Sequence, residues 1–259
     1  MSTRLTPTIL RFESLPSTNT EAARQAALGA PEGLCVVARE QTAGRGRQQR
    51  AWASPKDAGL YFSVVLRPRL DAREWPLVTL AAALAVRDAL LDACALETDI
   101  KWPNDLLARG RKLCGILAET VETPGGRAVV VGIGVNLNNR AFPPEILETA
   151  TSVEEQTASA PDTERLLASL TRSLALRYET LQSPGGGAET VREWESRSSF
   201  ASGRRVRVAL AVETFEGTTR GLETEGALRV ETDEGKIRIV RAGDVMAVRQ
   251  VMSNSSSDE

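Results

Sequence analysis

Apolar positions along this chain fall into two rhythms. Thr8 to Glu13, Leu34 to Ala38 and Leu60 to Arg67 are short runs dense in apolar residues, and they predict strands. Between the first two, Thr18 predicts a helix cap, with Glu21 three residues on completing a capping box and Gly29 as the stop. Trp75 to Ala95 is long and alanine- and leucine-rich, which predicts a helix begun near Asp71. Ile100 to Trp102 predicts a brief strand halted by the turn Pro103-Asn104-Asp105. Lys112 to Val121 and Arg127 to Asn136 read as a hairpin joined through Pro124-Gly125-Gly126. Thr163 to Leu181 and Ala188 to Arg197 predict helices, separated by the loop Ser183 to Gly187. After Phe200 the texture changes. Arg204 to Leu210, Thr214 to Leu222, Leu228 to Thr232 and Ile237 to Val240 are closely spaced short strands with glycine between them, which predicts a small barrel. The domains are therefore expected at 1–199 and 200–250, with residues 251–259 a polar, disordered tail.

Composition narrows the function. A formal net charge of −2 gives no global attraction to DNA, RNA or an anionic membrane. No apolar run is long enough to span a bilayer. Met1 to Arg11 lacks the apolar core of a signal peptide, so a cytoplasmic protein is expected. Cys35, Cys94 and Cys114 are odd in number and widely spaced, which argues against a disulfide framework or a CxxC metal site. With no histidine in the chain, every Ser-His or Cys-His mechanism and every imidazole zinc site is excluded. Chemistry here must rest on Lys, Arg, carboxylates and bound metal.

Arg45, Arg47 and Arg50 crowd a loop whose Gly44 and Gly46 let the backbone turn sharply, an arrangement suited to a polyanion such as ATP. The alternative is a solvated basic loop. Lys101-Trp102-Pro103-Asn104-Asp105 places a cation, a rigid turn and a carboxylate within five residues. Lys112 opens a strand in which Gly115 permits close approach of a ligand. Gly132-Ile133-Gly134 ends a buried run without a following GxGxxG or long helix, so a dinucleotide-binding reading fails, and no Walker A loop is present.

Ser17-Thr18-Asn19, the loop Gln41 to Trp52, Lys101 to Asp105, Lys112 to Glu119 and Gly132 to Asn136 together resemble, in order and spacing, the successive motifs of biotin protein ligases. The resemblance covers roughly residues 8 to 200, and the terminal strands match the family's SH3-like module. It implies an α+β fold: a mixed β-sheet catalytic domain flanked by helices, with a small C-terminal SH3-like β-barrel. It also implies ATP-dependent activation of biotin to biotinyl-5′-AMP with release of pyrophosphate. Transfer of biotin to a lysine of a biotin carboxyl carrier protein then follows, with Mg²⁺ as a further requirement. Ser17, Thr18, Asn19 and Gln41 match the contacts to the ureido head, Thr18 with capping as its alternative role. Gly44, Arg45, Gly46 and Arg47 match the loop that closes over biotin and the activated phosphate. Lys112, Gly115 and Ile116 match the biotin pocket strand, and Lys112 also bridges to the α-phosphate. Arg45, Arg47, Arg50, Trp52, Lys101, Asn104, Lys112 and Asn136 match the ATP side, with Trp52 read more as a loop anchor than as a stacking surface. Lys112, Arg47, Asp105 and Lys101 are the implied catalytic groups, with Asp105 left between holding Mg²⁺ and orienting the acceptor amine.

The chain departs from the family at Gln49, where the loop usually carries glycine. Ala150-Thr151-Ser152-Val153 resembles a segment beside the adenine site, with a helix-start role equally open. About seven residues precede the first strand, so no winged-helix repressor domain and no DNA-binding role are expected. The sequence does not decide the oligomeric state; a homodimer formed by sheet-edge pairing through Gly132 to Asn136 is an option by analogy alone. A lipoate ligase is the nearest alternative enzyme, disfavoured by the polar trio at 17–19 and Gln41. A biotin-responsive binding module without turnover is the alternative outside enzymology.

Overall fold

The structure is a computed structural model that describes residues 5–140 and 142–248. Strand β1 (Thr8–Phe12) leads through helix α1 (Thr18–Ala27) into β2 (Leu34–Ala38), and this helical crossover lets β1 and β2 run parallel. The remaining strands of the sheet pair antiparallel: β3 (Gly59–Leu66), β4 (Asp99–Lys101), β5 (Asp105–Ala108), β6 (Arg111–Thr123) and β7 (Gly126–Asn136). Their order is β1-β2-β3-β7-β6-β5-β4, a mixed sheet.

Alternation along the strands separates two faces. Leu60, Phe62, Val64 and Leu66 of β3, with Val129, Val131, Ile133 and Val135 of β7, join one core with α2 (Pro76–Cys94) and two later helices. After the short α3 (Val153–Thr157), these are α4 (Thr163–Leu181) and α5 (Gly186–Ser196), which contribute Leu166, Leu170 and the fully buried Trp194. The opposite face is covered by α1, whose Ala22 and Ala26 meet Val36, Val65 and Val130. Farther along β7 that face carries Gly132 and Gly134 in place of apolar side chains, and it is left open. This uncovered part of the sheet is where the candidate site lies.

A second, five-stranded antiparallel sheet follows, built from β8 (Ser202–Ala209), β9 (Thr214–Leu222), β10 (Leu228–Glu231), β11 (Ile237–Val240) and β12 (Asp244–Ala247) in the order β11-β10-β9-β8-β12. Val206, Val208, Leu222, Leu228, Val230, Val240 and Val245 are buried apolar residues of this sheet, continuous with the helix-side core. Polar ties fix it to the turn after β4 and to α5: Trp102 Nε1 donates to Gly226 O at 3.0 Å, and the Leu222 amide donates to Glu195 Oε1 at 2.7 Å.

Three expectations change. Ser17, not Thr18, caps α1: its extended backbone turns its hydroxyl to the Thr20 amide, while the Glu21 carboxylate is taken by Arg24 and Gln25 instead of completing a box. Strands β5 and β12 arise where none is predicted; β5 opens at Asp105, inside the run Pro103-Asn104-Asp105 that reads as a turn. The segment 132–136 lies in β7, bonded to β3 on one side and β6 on the other, so it offers no sheet edge for a partner. The tail at 251–259 lies outside the described residues.

All three thiols are free. Burial pushes the Cys35 thiol up to about 12 from 9.0, and buried Cys114 higher still, while Cys94 is only half-buried. A raised thiol pKa means less thiolate at any working pH, so reactivity falls. Titration with an aromatic disulfide reagent at pH 8 is expected to modify about one thiol per native molecule, Cys94, and the other two only in denaturant. Fast modification of Cys35 or Cys114 in the native protein would contradict this packing.

Candidate active site

The open face forms a cleft of about 1210 Å³ whose walls come from the start of α1, the arginine loop, the strands β5 to β7, the segment after β7 and the second sheet. Each residue expected at the site lines it except Gly44. A Cβ on Gly44 would fall 2.4 Å from Trp52 O and 2.5 Å from Ser54 Oγ, so this glycine lets the two arms of the loop close behind the wall.

The floor is bare backbone. A Cβ on Gly132 would lie 2.1 Å from Asn19 Oδ1, and one on Gly134 2.6 Å from Trp52 Nε1. Trp52 therefore rests on the strand, half-buried, with its buried indole N–H unpartnered. Across β6, Gly115 approaches the same ring, at 3.0 Å from its would-be Cβ. The register between β5 and β6 slips where Leu106 faces Cys114 but Leu107 faces Lys112. Leu113 is the extra residue, and both Leu113 and Cys114 enter the helix-side core. This bulge brings Lys112 onto the cleft face beside Gly115, a re-aiming that a regular strand would not allow.

One end of the cleft is a polar wall. Gln41 Oε1 accepts from the Thr18 amide at 2.8 Å and lies 3.1 Å from the Thr18 hydroxyl, while Gln41 Nε2 donates to Ser54 Oγ at 2.8 Å. The Ser63 hydroxyl donates to Asn19 Oδ1 at 2.6 Å. Asn19 Nδ2 gives its two hydrogens to Leu117 O at 3.2 Å and Glu119 Oε2 at 2.8 Å. Asn19 is thus a brace, with its donors used inside the protein. Glu119 in turn holds Arg45 through a pair of bonds at 3.0 and 2.7 Å.

The other end is a row of alternating charge. Asp105 Oδ1 lies 2.6 Å from Lys112 Nζ and Asp105 Oδ2 lies 3.7 Å from Lys101 Nζ. Lys112 Nζ also stands 5.3 Å over the Trp52 ring, within cation–π range. Arg47 donates to Asn104 Oδ1 at 3.1 Å and to Gly243 O at 3.2 Å, and it faces Asp244 at 3.9 Å. Burial draws the Arg47 guanidinium below its ordinary value, against the opposing pull of Asp244 and Asp105. Arg50 pairs with Asp244. Asn104 also donates to Ile116 O at 2.7 Å, which fixes its turn against β6. Asn136 Nδ2 donates to Thr151 O at 3.0 Å and sits 3.4 Å from Lys112 O, tying the strands to the segment beyond. In that segment Ser152 caps α3, the structural alternative held open for it.

The chain matches the Biotin/lipoate A/B protein ligase family over residues 11–138 and the Biotin protein ligase C terminal domain over residues 201–246. The biotin--[acetyl-CoA-carboxylase] ligase of Mycobacterium tuberculosis is 37% identical over 239 residues, covering 90% of this chain and 86% of that protein. The bifunctional ligase/repressor BirA of Bacillus subtilis is 36% identical, covering 90% of this chain and 72% of that one. The chain belongs to the biotin protein ligase family. The biotin protein ligase from Aquifex aeolicus, solved in complex with biotin and ATP, superposes with a TM-score of 0.81 at 28% identity, covering 93% of this chain and 99% of that one.

Set beside this family, the departure at Gln49 has a physical cost. Gln48 and Gln49 both lie in the left-handed region, at φ of 54° and 60°, where a side chain is disfavoured and glycine is not. Several lining residues carry no local signal at all. Phe142 and Ile146 come from the segment after β7, and Asp244 and Met246 come from β12. They reach the cleft only through the tertiary fold.

The bare floor makes Gly132→Ala a sharp probe, since the new methyl must displace the Asn19 brace. A loss of about 1–3 kcal/mol is expected from such overpacking, read as a lowered midpoint in denaturant. An unchanged midpoint would show that Asn19 does not depend on the glycine.

Proposed function

We propose that this protein binds biotin and ATP in the cleft, joins them as biotinyl-5′-AMP, and transfers biotin to a lysine of a carboxylase carrier protein. The observation that carries the reading is the convergence of Lys101, Lys112, Arg47 and Arg50 on two shared carboxylates, Asp105 and Asp244, beside a polar wall at Ser17, Thr18 and Gln41. Four cations against two anions leave that end at +2, in a chain whose formal net charge is −2. Such an end suits the phosphates of ATP, and the pocket at Ser17, Thr18 and Gln41 suits a neutral polar ring such as the ureido group. Naming of the Mycobacterium tuberculosis relative as a biotin--[acetyl-CoA-carboxylase] ligase supports a carboxylase subunit as the acceptor. Three unpaired thiols fit a reducing, cytoplasmic setting. Among the described residues no helix is long and apolar enough to cross a membrane.

In the first step a biotin carboxylate oxygen attacks the α-phosphorus, the P–O bond to the β-phosphate breaks, and pyrophosphate leaves. Negative charge gathers on the non-bridging oxygens, and Lys112 and Arg47 stand where fixed cations would stabilise it. In the second step the acceptor amine attacks the biotinyl carbonyl and AMP leaves. Asp105, held between Lys101 and Lys112 on the cleft wall, would orient the amine. Asp105 does not fit Mg²⁺: ammonium groups neighbour both of its oxygens, and the described residues hold no group of three acid or thiol side chains able to cage an ion. Mg²⁺ more naturally enters on the phosphates of ATP.

Mixing the protein with biotin, ATP and Mg²⁺ is expected to release pyrophosphate, and no release above background would favour a binding module. Lys112→Ala is expected to slow that release by roughly 10²–10³-fold with biotin affinity nearly unchanged; an unaltered first-step rate would remove Lys112 from the mechanism. Calorimetric titration is expected to give binding of biotin and none of lipoate, whose dithiolane cannot satisfy the polar wall. The reverse preference would overturn the substrate assignment.

A further inference from the structure

We propose that Asp244, on β12 of the C-terminal sheet, is a positioning residue for the arginine loop, so that the small domain completes the nucleotide end of the site. This rests on the reading of the cleft as an ATP site. Asp244 Oδ2 binds Arg50, and Asp244 Oδ1 lies 3.9 Å from Arg47. The adjacent Gly243 carbonyl accepts from Arg47 at 3.2 Å. Two consecutive residues of one strand end therefore hold both guanidinium groups.

The strand end is itself firmly placed. Asp244 pairs with Ala209 in the ladder between β12 and β8. A Cβ at Gly243 would lie 2.9 Å from Ala209 O, so the chain enters β12 with no room for a side chain. The base of the loop is closed by backbone bonds from Gly46 to Arg50 O and from Trp52 to Gly44 O, but its tip packs against little. None of Arg47, Gln48 and Gln49 is buried, and the last two carry left-handed strain. Outside the loop, the side chains of Arg47 and Arg50 are held by Asn104 on one side and by Gly243 and Asp244 on the other.

An isolated surface ion pair would contribute little, and Arg50 is 64% exposed. Asp244 and Arg47 are each only 24% exposed, and one carboxylate is shared by two cations that otherwise repel. Asp244 screens that repulsion and restricts two long, flexible side chains before ATP arrives. Ordering lost beforehand is not lost again during binding, which is the basis of preorganised affinity. The effect should fall on ATP and not on biotin, whose polar wall is at the far end of the cleft.

The test compares Asp244→Asn and Asp244→Glu with the parent, measuring ATP and biotin affinity by calorimetry and KM for ATP by pyrophosphate release. Asp233→Asn, which breaks a barrel ion pair to Arg205 outside the cleft, controls for general loosening of the second sheet. Asp244→Asn is expected to weaken ATP binding and raise its KM by about tenfold, with biotin affinity within about twofold of the parent. Asp244→Glu is expected to recover most of the loss, and Asp233→Asn to change neither. Unchanged or tighter ATP binding in Asp244→Asn, or parallel loss of biotin, would overturn the proposal. If the parent releases no pyrophosphate but its ATP binding still depends on Asp244, the ligase reading fails and the positioning role stands. If the parent binds no ATP, both fail.

Discussion

The absence of side chains on one stretch of sheet is the constraint on which the site depends. Gly115, Gly132 and Gly134 leave backbone where α1 stops covering the open face, and two large groups settle directly on it, Asn19 and Trp52. Each then supports something else. Asn19 braces Glu119, and Glu119 holds Arg45. Trp52 closes the loop against Gly44 and presents its ring to Lys112. A methyl at either β7 glycine would lift a wall as well as fill a void, because interiors packed at this density accommodate little.

Electrostatics follows from the same geometry. The bulge at Leu113 turns Lys112 toward Asp105, and β4 and β5 present Lys101 and Asp105 as a directly opposed pair. Charges at the mouth of a cleft with apolar walls interact more strongly than the same charges in water. Each cation here nevertheless has a carboxylate beside it, so its burial is partly compensated. Asp105 and Asp244 are each shared by two cations, so each group keeps one positive charge in excess.

Much of this was legible in the sequence, for definite reasons. Long strands and helices such as β6, β7, α2 and α4 carry enough periods to declare themselves, and the β9 and β11 bounds match the expected runs. Strands β5 and β12 do not: β5 opens at Asp105, inside the run that reads as a turn, and β12 opens at Asp244 directly after Gly243. Ser17 and Thr18 are equally good caps on paper; the Gln41 side chain, which engages Thr18, separates them. Those cleft-lining residues that the sequence offers were legible because the family pattern names them together. Their partners were not. Nothing near Arg50 announces Asp244, which is 194 residues away. Asn19 reads as a ligand contact, and nothing near it announces that Ser63, Leu117 and Glu119 engage its amide.

On the proposed reaction the Lys101–Asp105–Lys112 arrangement has a further consequence. Lys112 is 2.6 Å from Asp105 and Lys101 is 3.7 Å from it. An α-phosphate offers Lys112 a second anion, and moving toward it loosens the hold on Asp105. Lys101 remains as the countercharge, so the carboxylate is not left buried and unpaired, the situation that makes a broken ion pair costly. Asp105 then has a free acceptor at the stage when an amine must be oriented and must lose a proton. A carboxylate between two lysines can thus serve the two half-reactions in turn, held by one cation while the other attends to phosphate.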